Sequence, residues 1–137
     1  MARDIFHSVV KNALIAEGWL ITHDPFPVDY GEVQMQIDLG AEFLVAAERD
    51  KEKIAVEVKS FIKPSAISEF HTAVGQYLNY RRALRVQDPS RRLYLAVPYT
   101  TYDEFFRLRF IQEGIQEYQL LMLIYDIENT RIVQWIE

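Results

Sequence analysis

Apolar residues recur at helical spacing near the start of the chain. Ile5, Phe6, Val9, Val10, Ala13 and Leu14 form one stripe over residues 4–17, and Gly18 closes the segment. Trp19-Leu20-Ile21-Thr22 then reads as a short strand. Residues 23–31, with two prolines and a glycine, read as a loop. Two strand-like runs follow, about 33–48 and 52–60, joined by the charged turn Arg49-Asp50-Lys51-Glu52-Lys53. Their pattern predicts an antiparallel hairpin, and Gly40 inside the first run predicts a bulge or a close backbone approach. Beyond the break Lys63-Pro64-Ser65, residues 66–86 carry the longest helical stripe: Phe70, Ala73, Val74, Tyr77, Leu78 and Leu84. Asp88-Pro89 ends that helix, and residues 93–97 form a buried strand stopped by Pro98. Thr101-Tyr102-Asp103-Glu104 has capping-box spacing and opens a helix to about Glu117, with a break near Gly114. The runs 120–125 and 131–136 close the chain as strands that turn at Glu128-Asn129-Thr130. The order α-β-β-β-α-β-α-β-β predicts an α/β fold of mixed sheet type, in one domain over residues 1–137.

Composition narrows the class. Half of the 137 residues are hydrophobic and 13% are aromatic, which predicts a well-cored globule. There is no cysteine. That excludes disulfides, thiolate zinc sites and cysteine nucleophiles, and it fits a reducing, cytoplasmic setting. The N-terminal residues hold no apolar signal core, and the longest apolar runs are too short to span a bilayer. A formal charge of −5 argues against indiscriminate nucleic-acid binding. Locally, however, Arg81, Arg82, Arg85, Arg91 and Arg92 face the single acid Asp88 between Gln76 and Arg92. This run is either a solvated helix face or a rim that tracks phosphates beside an acidic pocket, with Lys63 as a further contact.

The acidic pocket is predicted from two strands. In Ile54-Ala55-Val56-Glu57-Val58-Lys59-Ser60, a carboxylate and an ammonium share one face of an otherwise apolar strand. Buried charge is costly unless it is paired or holds a metal. Asp38, in Met35-Gln36-Ile37-Asp38-Leu39-Gly40, is a second acid in an apolar run, and strand pairing brings it next to Glu57. Two carboxylates form a hard-oxygen site suited to Mg²⁺ (or Mn²⁺) and phosphate-bearing substrates. Lys59 is placed to orient an attacking water and to stabilise charge in the transition state. The structural alternatives are a Glu57–Lys59 ion pair on a half-exposed face and an Asp38 that caps a bulge at Gly40. His7, His23 and His71 show no metal-ligand spacing, and no Gly-rich phosphate loop is present.

Asp38 followed by Glu57-Val58-Lys59 resembles the bipartite active-site motif of the PD-(D/E)XK nuclease superfamily. The resemblance implies a restriction-endonuclease-like α-β-β-β-α-β core, here residues 4–97, and catalysis by Asp38, Glu57 and Lys59 with Mg²⁺. Gln76-Tyr77-Leu78-Asn79-Tyr80 resembles the glutamine-x-x-x-tyrosine element of RecB-like members. It implies Gln76 near the metal and Tyr80 as a support, although Tyr80 serves equally well as core. Ile37 stands where the superfamily motif has proline. His7 occupies the position where many members carry a metal-reaching glutamate on the first helix; an imidazole suits Mn²⁺ better than Mg²⁺.

More closely, several phrases resemble the XisH family, cyanobacterial proteins named as controlling factors for excision of the fdxN DNA element. They are Asp4-Ile5-Phe6-His7, Gly18-Trp19, Ile21-Thr22-His23-Asp24-Pro25, Ile37-Asp38-Leu39-Gly40-Ala41-Glu42, Glu57-Val58-Lys59-Ser60-Phe61 and Gly75-Gln76-Tyr77. This resemblance implies DNA as substrate and a protein partner of XisI type. The expected function is a Mg²⁺-dependent endonuclease-type protein acting on DNA in element excision. The alternative is a non-catalytic regulatory module that keeps the nuclease fold. The apolar closing strands, 120–136, fit a homo-oligomer contact and a buried core equally well.

Overall fold

The computed structural model describes residues 2–45, 50–62 and 64–137. Helix α1 (Ala2–Ala16) buries Val9, Val10, Ala13 and Leu14, the stripe that its sequence predicts. It ends at Gly18, whose φ of +99° suits a residue without Cβ, and the Trp19 N–H closes back on the Leu14 carbonyl. Strand β1 (Leu20–His23) follows, then β2 (Phe26–Tyr30), β3 (Val33–Ile37), β4 (Leu39–Val45) and β5 (Asp50–Val58). Helix α2 (Ala66–Gln87) crosses back to β6 (Arg92–Pro98). A short turn α3 (Tyr99–Thr101), a π-helical turn (Tyr102–Phe106) and α4 (Arg109–Tyr118) lead to β7 (Met122–Asp126) and β8 (Arg131–Ile136).

Six strands form a mixed sheet in the order β1-β4-β5-β6-β7-β8. The β5–β6 and β6–β7 pairs are parallel and the others antiparallel. Strand alternation splits the core in two. Ile54, Val56, Tyr94, Ala96, Leu123 and Tyr125 face α1. Ala55, Leu93, Leu95, Val97, Met122 and Ile124 face α2 and α4. At the centre of the α2 side, the buried Tyr77 hydroxyl donates to the Leu93 carbonyl at 2.8 Å and accepts the Leu121 N–H at 3.1 Å. No described helix is long and apolar enough to cross a membrane.

Several expectations are corrected. Residues 23–31 are not all loop, because β2 pairs antiparallel with β3 from Phe26↔Ile37 to Tyr30↔Val33. The run 33–48 is therefore not one strand: it bends at Asp38, leaving β3 in this separate hairpin and β4 in the main sheet. Pro27 is tolerated because a two-stranded ribbon leaves one side of each strand without a ladder to feed, and Phe26 and Val28 anchor the hairpin in the core. The helix after Pro98 begins at Tyr99, and Thr101 makes no side-chain cap. Its break falls at Arg107–Leu108, not near Gly114, because the π-turn frees the Phe106 carbonyl and the Gln112 side chain takes it up. The turn expected at 49–53 is also corrected, because residues 50–53 already pair with β4 as the start of β5; Arg49 lies outside the described residues.

Gly40 combines both features expected of it. The β1–β4 register shifts opposite it, between Ile21 and His23, and a Cβ there would lie 2.7 Å from the Phe26 ring and 3.2 Å from His23 Cβ. Gly40→Ala should cost about 1–3 kcal/mol through this clash. Urea unfolding followed by circular dichroism measures it; an unchanged midpoint would mean that the hairpin is not seated against β4.

Candidate active site

Main-chain pairing of β4 with β5 ends at Leu39↔Val56, because the chain turns out of the sheet at Asp38. Side chains continue the ladder. Asp38 Oδ2 accepts the Val58 N–H at 2.8 Å, and Glu57 Oε1 accepts the Asp38 N–H at 3.3 Å. The two acids are 6% and 7% exposed, so both are core residues by burial. Lys59 Nζ lies 3.5 Å from Glu57 Oε2, as the shared strand face requires. The Lys59 backbone is held twice: its N–H donates to the Ala96 carbonyl at 2.9 Å, and its carbonyl accepts the Tyr125 hydroxyl at 3.1 Å. The structure thus brings Asp38, Glu57 and Lys59 together.

Burial, and then the neighbouring Asp38 carboxylate, push the Glu57 carboxyl up to about 7, against the pull of Lys59. Burial and Asp38 also push the Tyr125 phenol well above its usual range, which keeps it a donor to Lys59. These are the electrostatics of a site with excess negative charge at one end of the sheet.

The other expected residues divide. Gln76 lies on α2 with its Oε1 buried and without a hydrogen-bond partner among the described residues. Tyr80, one turn on, is half-buried against the core on the α2 side. His7 reaches the neighbourhood from α1, but its Nε2 sits 2.7 Å from Asp24 Oδ1. Asp24 also accepts from Lys11 at 2.8 Å, and these two partners hold its carboxyl below the usual range although burial opposes them. The arginines are not brought to the acids. Arg81 donates to the Tyr118 and Gln119 carbonyls at the end of α4, Arg82 to Asn79, and Arg85 is exposed a turn later. Helical rise puts Arg85 about 28 Å from the start of α2, so the rim expected beside the pocket lies at the far end of the sheet. Lys63 lies outside the described residues.

Glu69 was not anticipated. It stands in the first turn of α2, where an acid is ordinarily explained by the helix dipole, so its sequence gave no separate signal. In the structure Glu69 and Asp38 line one cavity of about 190 Å³, with His7 and Ser60. Glu69 Oε1 accepts the Phe61 N–H at 3.2 Å, and Oε2 is buried without a hydrogen-bond partner among the described residues.

The donor chemistry at this end fits a hard divalent cation: two buried carboxyls, one raised by burial and by its neighbour's charge, and a carboxylate oxygen that no donor among the described residues satisfies. Among the described residues, no three His, Asp or Glu side chains converge closely enough to ligate one ion. A cation here would be held by few protein oxygens and mostly by water, a manner of binding that Mg²⁺ favours.

Fold and site define a mixed α/β protein with a buried carboxylate–lysine cluster at the end of its sheet. The model of the family described as XisH protein matches residues 1–133, and the chain belongs to that family. A solved structure of an XisH family protein from Nostoc punctiforme is 56% identical, with 98% of this chain and 100% of that one covered and a TM-score of 0.89. A second structure, named a fdxN element excision controlling factor protein from Anabaena variabilis, is 55% identical at the same coverage, with a TM-score of 0.90. No curated protein matches.

The raised Glu57 carboxyl has a sign that stability measurements can read. Because its folded pKa exceeds the unfolded value, the native state binds the proton more tightly. Its contribution is favourable below about 4.5 and is lost as pH rises toward about 7. Glu57→Gln keeps an acceptor for the Asp38 N–H and removes the charge. In buffer free of divalent cations, the variant should gain about 1–3 kcal/mol on wild type between pH 4.5 and pH 8. Denaturant unfolding across that range tests it, and a constant difference would show that Glu57 is not raised.

Proposed function

We propose that this chain is a metal-dependent nuclease-like protein that acts on DNA phosphodiesters in the controlled excision of a DNA element. The observation that carries the reading is the Asp38–Glu57–Lys59 cluster at one end of the sheet, in which Glu57 accepts the Asp38 N–H, Asp38 accepts the Val58 N–H, and Lys59 pairs with Glu57. The resemblance to PD-(D/E)XK nucleases supports it, as does the name of the Anabaena variabilis relative. Asp38 and Glu57 would hold Mg²⁺ or Mn²⁺. When bound, such an ion polarises a phosphoryl oxygen and lowers the pKa of a coordinated water. Lys59 orients the attacking water and offsets charge on the phosphoryl group, and its doubly anchored backbone keeps it in register. Gln76 supports the site from α2, with Tyr80 packing the same helix. DNA running from the acids to Arg82 and Arg85 would span about 24–28 Å, or roughly seven to eight base pairs.

A second reading has its own support. Asp38 and Glu57 already accept main-chain N–H groups, so the same residues also suit a regulatory module that keeps the fold and works with a protein partner of XisI type, or with a second copy of itself.

Purified wild type with Mn²⁺ or Mg²⁺ should nick or cleave DNA, and Lys59→Ala should slow this by about 10²- to 10³-fold without unfolding the protein. Supercoiled plasmid and single-stranded DNA on gels, with circular dichroism as the folding control, provide the assay. No cleavage of either substrate by folded wild type would favour the regulatory reading.

A further inference from the structure

The loop after β5 makes a turn that costs energy. Phe61 has a φ of +55°, in the left-handed region that a side chain with Cβ adopts at a penalty, and Glu69 Oε1 pins its N–H. That bond accounts for one carboxylate oxygen. The other, Oε2, is buried with no hydrogen-bond partner among the described residues, and a buried acceptor left without a donor is costly. Two side chains able to donate, His7 and Ser60, line the cavity that Glu69 shares with Asp38, and neither hydrogen-bonds Oε2. His7 is engaged by Asp24. Lys59 is engaged by Glu57.

From this we infer that Glu69 belongs to the cation site: its free oxygen accepts a hydrogen bond from a water carried by a hydrated divalent cation at Asp38 and Glu57. The inference rests on the reading of those two residues as a metal site and adds a third carboxylate, supplied by α2 rather than by α1. It requires no direct bond from Glu69 to the ion, in keeping with the lack of any three described His, Asp or Glu side chains close enough to share one. A cation that keeps most of its waters presents donors to a wall of acceptors. Glu69 then couples the cation to the strained loop, since one carboxylate holds a shell water through Oε2 and the Phe61 N–H through Oε1.

Glu69→Gln separates this role from simple pinning. The amide oxygen still accepts the Phe61 N–H, while the other arm becomes an NH₂ group that donates and carries no charge. Calorimetric titration of the full chain with Mn²⁺ alone should give one site in wild type, none in Glu57→Ala, and binding weakened about ten- to a hundredfold in Glu69→Gln at unchanged thermal stability. If Glu69→Gln binds Mn²⁺ as wild type does, Glu69 is only a loop pin and the inference falls, with the Asp38–Glu57 site intact. If wild type itself binds no Mn²⁺, the metal-site reading fails first. A measurement on wild type alone guards against a variant that does not fold. The Phe61 amide should exchange with solvent several-fold more slowly when Mg²⁺ saturates the protein, and unchanged exchange in the saturated protein overturns the coupling.

Discussion

The Asp38 carboxylate stands in for a missing strand. The chain leaves the sheet at Asp38 to enter β3, so Val58 at the end of β5 has no main-chain carbonyl from β4 to receive its N–H. Asp38 Oδ2 receives it, and Glu57 answers by accepting the Asp38 N–H. An unpaired buried N–H would cost on the order of 1–3 kcal/mol, so the sheet is shorter at this end without this clasp. Its consequence is electrostatic. Two acids are held beside each other with little water, and Glu57 is left with a carboxyl raised to about 7. The fold therefore creates, by the way it ends a ladder, the concentration of negative charge that a divalent cation would relieve.

The clasp is set in a frame that resists relaxation. Tyr125 grips the Lys59 carbonyl from the face that packs on α1. On the other face the Phe61 ring packs edge-on to Phe106 at 5.2 Å, and Phe106 meets Phe70 of α2 at 5.8 Å. Phe106 belongs to the π-turn, whose extra residue widens the helix where these rings converge. The loop that carries the strained Phe61 is thus tied to α2 twice, by ring packing and by Glu69. At the opposite end of the sheet, the buried Arg91 donates to the Ile54 carbonyl at 2.8 Å and pairs with Asp88 at 2.9 Å, its guanidinium 4.5 Å from the centre of the Phe26 ring. It joins the end of α2 to β5 and to the hairpin. Arginines that looked from the sequence like a phosphate rim are, at Arg81 and Arg91, structural donors to carbonyls.

What the sequence revealed and what it hid have physical reasons. Asp38, Glu57 and Lys59 were legible because a charge inside an apolar strand breaks the alternation that burial demands. Helix α2 was legible because its stripe is long and its N-cap, Ser65, accepts the Ser68 N–H. The β2–β3 hairpin was hidden by Pro25 and Pro27, which read as breakers in a chain whose pairing partner is not yet known. The bend at Asp38 carries no proline or glycine of its own. Glu69 was hidden because its importance depends on the turn at Phe61, where an aromatic residue takes a positive φ that no composition rule anticipates. The separation of arginines from acids, in contrast, follows from helix length alone once α2 is accepted as an unbroken helix.

The dual use of Asp38 and Glu57 bears on how strongly they argue for chemistry. Groups that complete a ladder are needed by the fold whether or not a phosphodiester is ever cut, so their presence in this geometry supports catalysis and scaffolding alike. The Glu69 oxygen is different. Oε1 suffices to hold Phe61, and nothing among the described residues uses Oε2, which is buried in a side chain that lines one cavity with Asp38. A fold with no further use for that position would be served as well by glutamine, whose amide oxygen pins the same N–H. The physical case for a cation at this end therefore rests most firmly on the acid that the fold needs least.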